Sequence, residues 1–114
     1  MHELAVTESI LSIAQKHAAK ANASKVTDIY IVIGKLSSIV DDSVQFYWDI
    51  ISQDTICEFS TLHFERISAR FICLNCSTEY EVAAEMMPCP NCQSIHVKVL
   101  AGEEFYLDSI EIER

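Results

Sequence analysis

Hydrophobic and polar residues follow two different periods along this chain. From residue 3 to 21, apolar side chains recur at steps of three and four, which predicts an amphipathic helix. Residues 26 to 33 are rich in β-branched side chains and predict a strand, after which Gly34 permits a turn. Residues 61 to 67 alternate between apolar and polar and predict another strand. The chain therefore combines helical and extended segments.

The remaining pattern predicts one more helix and a strand-forming end. Residues 41 to about 53 are apolar over a wide arc, and Asp41 and Asp42 place negative charge at the start of this predicted helix. Residues 97 to 114 alternate as one or two strands, with a break near Gly102. We therefore expect an α+β fold in which the second helix packs closely on a sheet.

Four of the five cysteines form two C-x-x-C pairs, Cys73 with Cys76 and Cys89 with Cys92, and twelve residues separate the pairs. Two turns that each present two thiolates can close a tetrahedron around one soft divalent ion, as in structural zinc sites. Four protein ligands leave no position for water, which argues against catalytic zinc. Strands are predicted on both sides, so we expect a zinc module inserted between two strands that pair with each other.

The cysteine pairs also fit other kinds of site. Iron in a rubredoxin-like site has the same ligand spacing, so the spacing does not distinguish iron from zinc. A thioredoxin-like redox pair needs one C-x-x-C that opens a helix after a strand, which the two pairs here do not match. His96 lies four residues beyond Cys92 and could exchange into the site, although a solvated histidine is the commoner role for such a residue.

Composition narrows the classes of partner and the compartment. The net charge is −9 and the isoelectric point is about 4.7, so the chain repels nucleic-acid phosphates and anionic membranes and favours a basic protein or metal cations. It contains no run of about 20 apolar residues and no secretory signal pattern. Because Cys57 is left unpaired and would be a liability outside the cell, we expect a cytoplasmic protein without disulfides. The motifs of catalytic triads, carboxylate pairs and phosphate loops do not stand out, so no enzyme is predicted.

The N-terminus offers a second set of metal ligands. A bulky residue at position two protects the initiator methionine, so the α-amine of Met1, the amide nitrogen of His2 and the His2 imidazole follow one another. Such nitrogen donors suit square-planar Ni²⁺ or Cu²⁺ rather than Zn²⁺. Glu3 could orient the imidazole from outside, or simply place a favourable charge in the first helical turn. An incidental histidine at position two is the competing interpretation.

The order of four segments carries a family resemblance. They are Met-His-Glu-Leu at residues 1–4, Ile-Gly-Lys-Leu-Ser at 33–37, the two cysteine pairs, and Ser-Ile-Glu-Ile-Glu at 109–113. In this order, and over essentially the full length, the chain resembles the HypA/HybF family of hydrogenase maturation proteins. The resemblance implies a nickel metallochaperone that carries Ni²⁺ to the large-subunit precursor of nickel–iron hydrogenase. It also implies a HypB-type GTPase as partner and, in some organisms, urease maturation proteins.

The family pattern assigns the sites and the domains. It implies nickel at His2 with the main-chain nitrogens of Met1, His2 and Glu3, and with Glu3 as an outer partner. It implies Zn²⁺ at the four paired cysteines, Cys73, Cys76, Cys89 and Cys92. The implied fold is two helices packed on a three-stranded sheet with an inserted zinc-ribbon-like module. Residues 1–69 and 98–114 would then form the nickel-binding domain and residues 70–97 the zinc-binding domain.

Two hypotheses of function remain from the sequence. In the first, the chain is a nickel carrier, a monomer or weak homodimer that binds neither nucleic acid nor membrane. In the second, it is a zinc-stapled adaptor for protein–protein contact, and His2 is incidental. The hypotheses differ in whether His2 and a free N-terminus are needed for nickel binding.

Overall fold

The computed structural model describes residues 3–82 and 87–114, and these ranges contain two helices and six strands. The helices are α1 (Glu3–Lys20) and α2 (Asp41–Ile51). The strands are β1 (Lys25–Gly34), β2 (Thr61–Ile67), β3 (Ala69–Cys73), β4 (Glu79–Val82), β5 (Val97–Ala101) and β6 (Phe105–Glu113). Neither helix is both long and apolar enough to cross a membrane.

The strands form two three-stranded sheets, with strand orders β2-β1-β6 and β4-β3-β5. The α+β prediction is confirmed, and the segment with the cysteines contains a sheet of its own. The chain divides into two compact units. Among the described residues, unit 1 comprises 3–32, 38–65 and 106–114, and unit 2 comprises 33–37, 66–82 and 87–105.

Unit 1 has an apolar core contributed by its helices and its central strand. Ile29 and Ile31 of β1 are fully buried, as are Val44 and Trp48 of α2. The Trp48 indole N–H donates a hydrogen bond to Ser60 Oγ at 3.0 Å, so its one polar group is paired inside the core. Burying each of these side chains stabilises the fold by roughly 1.5–3 kcal/mol.

The two helices end in different ways. After α1, Asn22 adopts a φ of 57°, and the Ala23 N–H donates to the Ala18 carbonyl at 3.0 Å. This arrangement is a Schellman motif, in which asparagine is one of the few residues that tolerate a positive φ. The helix predicted to run to about 53 ends earlier, at Ile51, and turns follow it, with Asp54 at a φ of 63°.

Unit 2 is built around β3, which pairs antiparallel with β4 on one side and β5 on the other. Phe71 is fully buried in a small cluster with Ala69 and Val82. We did not predict β3 or β4 from the sequence. The predicted pairing of the strand at residues 61 to 67 with the last segment therefore needs correction. β1 lies between β2 and β6, and β5, the first part of the last segment, pairs with β3 instead.

Two glycines allow backbones of unit 2 to approach each other closely. The Leu36 N–H donates to the Gly102 carbonyl, and the Gly34 N–H donates to the Glu104 carbonyl, both at 2.8 Å. A Cβ on Gly34 would overlap the Gly102 carbonyl, and Gly102 itself has a φ of 121°. These residues must be glycine because a side chain would displace the backbone at the crossing.

Candidate metal centre

The structure brings together the sulfurs of the four predicted cysteines in unit 2. All four Sγ atoms lie within 4.8 Å of one another, with Cys73 to Cys92 at 3.5 Å and Cys76 to Cys89 at 3.6 Å. A regular tetrahedron with Zn–S bonds of about 2.3 Å has sulfur-to-sulfur edges of about 3.8 Å. The thiols are thus already spaced to bind one zinc ion.

The first cysteine pair lies on a tight turn directly after β3. The Cys73 N–H donates to the Thr78 carbonyl at 2.8 Å, and the Ser77 N–H donates to the Cys73 carbonyl at 2.9 Å. Ser77 reaches this geometry with a φ of 63°, in the left-handed region. The turn fixes the backbone on both sides of the pair, so its two sulfurs point to the same place.

The second pair repeats this turn sixteen residues later. The Cys89 N–H donates to the Ser94 carbonyl at 3.0 Å, and the Gln93 N–H donates to the Cys89 carbonyl at 2.7 Å. Gln93 has a φ of 61°, close to that of its counterpart in the first turn. Two copies of one turn therefore present two sulfurs each, which is the arrangement that the C-x-x-C spacing predicts.

Hydrogen-bond donors around the first pair favour thiolates. The backbone N–H of Cys76 is the main cause that lowers the pKa of Cys73, and the N–H of Asn75 adds to it. For Cys76 the Thr78 side chain is the main cause, followed by Asn91, and together they lower its pKa to about 5. A thiolate that accepts such hydrogen bonds is ready to bind metal at neutral pH.

Crowding of the four sulfurs has the opposite effect on Cys92. The backbone N–H of Ser94 lowers its pKa, but Cys73 and Cys76 are the leading causes of a net rise to about 12. Four negative charges cannot share this volume in the absence of a cation. A divalent ion removes the repulsion, and the cluster therefore fits a bound Zn²⁺ better than four free thiols.

The residues that support the sulfurs follow a pattern that we missed in the sequence. Both turns read Cys-x-Asn-Cys-x-Ser/Thr, and the hydroxyl residues Thr78 and Ser94 occupy the same place in each. Asn75 Nδ2 also donates to Ser94 Oγ at 2.6 Å, which connects the two turns. The repeated Asn and Ser/Thr were visible in the sequence, but their role depends on how the turns fold.

Other candidate residues lie elsewhere. The exposed His96 is absent from the metal-ligand cluster formed by the described residues. His17 is exposed on α1. Cys57 is fully buried, and desolvation raises its pKa to about 11, which makes it an inert core residue. His63 Nε2 donates to Asp28 Oδ2 at 2.7 Å.

Two of the predicted nickel ligands, Met1 and His2, lie outside the described residues. Glu3 is half-buried at the start of α1, and its carbonyl accepts a hydrogen bond from the Thr7 hydroxyl. The nickel site at the N-terminus therefore stays a prediction.

Comparison with known proteins points to one family. Residues 1–112 match the family model described as "Hydrogenase/urease nickel incorporation, metallochaperone, hypA". A hydrogenase maturation factor HypA from Dehalococcoides mccartyi strain 195 is 40% identical over 113 residues, which cover 99% of this chain and 95% of the relative. The HypA of Caldanaerobacter subterraneus subsp. tengcongensis is 38% identical over 114 residues, covering 99% of this chain and all of the relative.

Solved structures share the fold. The solution structure of the Ni metallochaperone HypA from Helicobacter pylori matches with a TM-score of 0.72 and 24% identity, covering 99% of this chain and 98% of the other. A second solution structure of a HypA protein matches with a TM-score of 0.74 at 24% identity, covering 98% and 96%. At this identity the likeness supports the architecture rather than individual residues.

Proposed function

The chain belongs to the HypA family of hydrogenase maturation factors, and on this premise we propose that it is a nickel metallochaperone. In this proposal it binds Ni²⁺ at its N-terminus and delivers the ion during maturation of nickel–iron hydrogenase. The observation that carries the proposal is the match to a nickel-incorporation family model over residues 1–112, which include the terminal histidine. The relatives that are 38–40% identical along the chain support the maturation role.

The proposed nickel ligands are the His2 imidazole and the main-chain nitrogens of Met1, His2 and Glu3, with the Glu3 carboxylate as an outer partner. Two physical arguments support them. The first N–H groups of a helix have no acceptor within the helix. A metal can therefore replace their amide protons without breaking a helical hydrogen bond. A set of nitrogen donors that includes deprotonated amides favours Ni²⁺ over Mg²⁺ or Zn²⁺.

The second metal of the proposal is a structural Zn²⁺ held by Cys73, Cys76, Cys89 and Cys92. Sulfur distances close to those of a zinc tetrahedron support it, as do the contacts with Cys73 and Cys76 that raise the pKa of Cys92 in the absence of a cation. The two ions are kept apart by donor type, because sulfur binds one and nitrogen the other. Functionally, residues 70–97 form the zinc-binding domain, and residues 1–69 and 98–114 the nickel-binding domain.

The family also suggests the setting in which the chain works. We place it in the cytoplasm, as a monomer or weak homodimer that acts without catalysis of its own. Its proposed partners are a HypB-type GTPase and the large-subunit precursor of nickel–iron hydrogenase, with urease maturation proteins as further candidates. The net charge of −9 supports a basic partner surface and argues against nucleic acid and anionic membrane.

Calorimetric titration of Ni²⁺ into tag-free, zinc-loaded protein tests the proposal, with the zinc content measured for every variant. We expect one Ni²⁺ per chain for the native protein. We expect its loss in His2→Ala and in a variant extended by two residues before Met1, while zinc is retained. The matched control is His17→Ala, which removes an exposed histidine of α1 and is expected to bind nickel normally.

Equal nickel binding by the native protein and His2→Ala, or none by either, would overturn the nickel proposal. A zinc-stapled adaptor would then describe the chain better. One observation in unit 2 favours that function, since Leu74 and Ile95 near the cysteines are 64% and 76% exposed. Exposed apolar side chains of this kind are common at protein contacts.

A further inference from the structure

One face of the first sheet carries a pair of stacked rings that the metal chemistry does not use. Ile29 and Ile31 of β1 are buried, whereas Asp28 and Tyr30, which alternate with them, are only half-buried and therefore point to the opposite face. The Tyr30 ring stacks on the His63 ring of β2, with ring centres 4.5 Å apart and an interplanar angle of 12°. This face, with its stacked rings, lies entirely within unit 1.

Hydrogen bonds from both sides hold the stack in place. His63 Nε2 donates to Asp28 Oδ2 at 2.7 Å, and the Tyr30 hydroxyl donates to Glu111 Oε1 of β6 at 2.9 Å. The three strands thus each contribute to one network. Because the rings are fixed before any partner arrives, a ligand that stacks on them loses little side-chain entropy.

A cavity of about 320 Å³ opens beside the stack. Tyr30 and His63 form part of its lining, and Val32 provides an apolar surface. Three acidic residues also line it, and they come from both outer strands: Glu65 of β2, and Asp108 and Glu111 of β6. Lysine and arginine do not occur among the described lining residues. The cavity therefore combines an aromatic wall with negative charge on two sides.

This combination is complementary to a guanidinium group. A guanidinium is planar, stacks on aromatic rings and offers five N–H donors to carboxylates, whereas an ammonium is a compact, strongly hydrated point charge. A metal ion fits less well, because the described Asp, Glu and His side chains of this face do not form a ligand cluster. An anion is excluded by the three carboxylates.

We propose that this sheet face docks a basic segment of a partner protein and that one arginine side chain of the segment occupies the cavity. Asp28 and Glu111 hold the rings, while Glu65 and Asp108 line the cavity and provide negative charge that the ring network does not use. The net charge of −9 steers such a segment toward the chain. The proposal is independent of nickel binding, since none of the cavity residues belongs to either metal site.

The test uses full-length, zinc-loaded, ¹⁵N-labelled protein and short capped peptides as probes. The peptide acetyl-Ala-Arg-Ala-amide is titrated beside the same peptide with citrulline, which keeps the shape but lacks the charge, and with lysine. We expect saturable amide shifts at β1, β2 and β6 around the cavity, strongest with arginine, weaker with lysine and absent with citrulline. Absence of such shifts, or equal shifts with citrulline, would overturn the proposal.

Charge-matched variants separate the cavity from general attraction. Glu65→Gln with Asp108→Asn should weaken arginine-peptide binding at least roughly fivefold, the effect expected for partly exposed charge contacts. Glu8→Gln with Asp54→Asn removes the same charge from exposed positions and should leave binding nearly unchanged. Equal weakening of peptide binding in both double variants would show that net charge alone causes the effect, and would refute the site.

A second variant tests the aromatic wall and gives a result even if the charge variants misfold. Tyr30→Leu removes the stack and should also abolish the preference for arginine over lysine, because the ammonium gains less from a flat ring. Retained zinc content and a dispersed spectrum identify a folded variant. An unchanged preference for arginine in folded Tyr30→Leu would contradict stacking as the basis of recognition.

Discussion

The two units of this chain are stabilised in different ways. Unit 1 fully buries Trp48 together with isoleucines from its central strand, and its helices close that core. Unit 2 buries a cluster of Ala69, Phe71 and Val82, around which other side chains are only partly covered. A small core of this kind contributes a few kcal/mol, whereas structural zinc sites contribute on the order of 10 kcal/mol. We therefore expect unit 1 to fold by apolar burial and unit 2 to depend on the proposed zinc.

Removing zinc should have the largest effect and should separate the two units most clearly. We expect a strong chelator, or Cys76→Ser, to unfold unit 2 and leave unit 1 folded, because the metal contributes most of the stability of unit 2. The effect on unit 2 is on the order of 10 kcal/mol. Two-dimensional ¹H–¹⁵N spectra check this outcome: peaks of β3, β4 and β5 should collapse, while the Trp48 indole peak keeps its position.

Cys57→Ala is the control for this experiment. It removes a buried thiol that lies outside the four-cysteine cluster, so zinc content should stay at one per chain. Retention of dispersed unit 2 peaks without zinc would show that the small core is sufficient and that the proposed division of roles is wrong.

Cutting the apolar core should affect the other unit. Trp48→Ala removes the largest fully buried side chain and should destabilise unit 1 by about 3–5 kcal/mol, because the site cannot collapse to fill the cavity. Denaturant unfolding followed at unit 1 residues measures this free energy. Trp48→Phe, which keeps a ring but loses the bond to Ser60, should cost less. A large loss of zinc affinity in Trp48→Ala would contradict independent stabilisation of the two units.

The glycine crossing in unit 2 predicts a smaller effect. In Gly34→Ala the new methyl group would overlap the Gly102 carbonyl, so two backbone segments must separate and their hydrogen bonds must lengthen. We expect a loss of roughly 1–3 kcal/mol, typical of overpacking, measured by thermal unfolding of the zinc-loaded protein. Ala101→Gly at the end of β5 is a control for changes in backbone entropy. A neutral Gly34→Ala would show that the crossing is loose.

Sequence periodicity predicted the elements of unit 1 closely because each is long enough to show its period. The predicted strand at residues 61 to 67 has the same ends as β2, and the predicted start of α2 at Asp41 is correct. β4 has four residues, too few to distinguish alternation from chance, and it follows the first cysteine turn. β3 has only five residues and runs directly into the first cysteine turn, so its alternation is also too short to recognise.

A site could be predicted from the sequence when its residues lie close together in the chain, and not when they lie on different strands. The cysteine cluster was predictable because C-x-x-C spacing is local and each turn forms within six residues. The stack of Tyr30 on His63 depends on which residues of β1 and β2 lie opposite each other, and the sequence does not specify that register. For the same reason the partner of His63, Asp28 on the neighbouring strand, could not be predicted.

The smallest expected effect concerns the hydrogen bond between His63 and Asp28, which should contribute to the stability of unit 1 at neutral pH but not in acid. The hydrogen bond from His63, assisted by Thr27, lowers the pKa of Asp28 below its usual value of about 3.9. A carboxyl group whose pKa is lower in the folded state contributes stability above its unfolded pKa and loses it as the pH falls through the folded pKa. Asp28→Asn should therefore reduce the thermal stability of unit 1 slightly at neutral pH and flatten its decline in acid.

Zinc is released over the acid range as the thiolates take up protons, so the unfolding must be followed at Trp48 of unit 1. The control is Asp54→Asn, an exposed carboxylate change in the same unit, which should leave the acid decline as it is. Identical declines in the native protein and Asp28→Asn would mean that the bond to His63 does not contribute to folding.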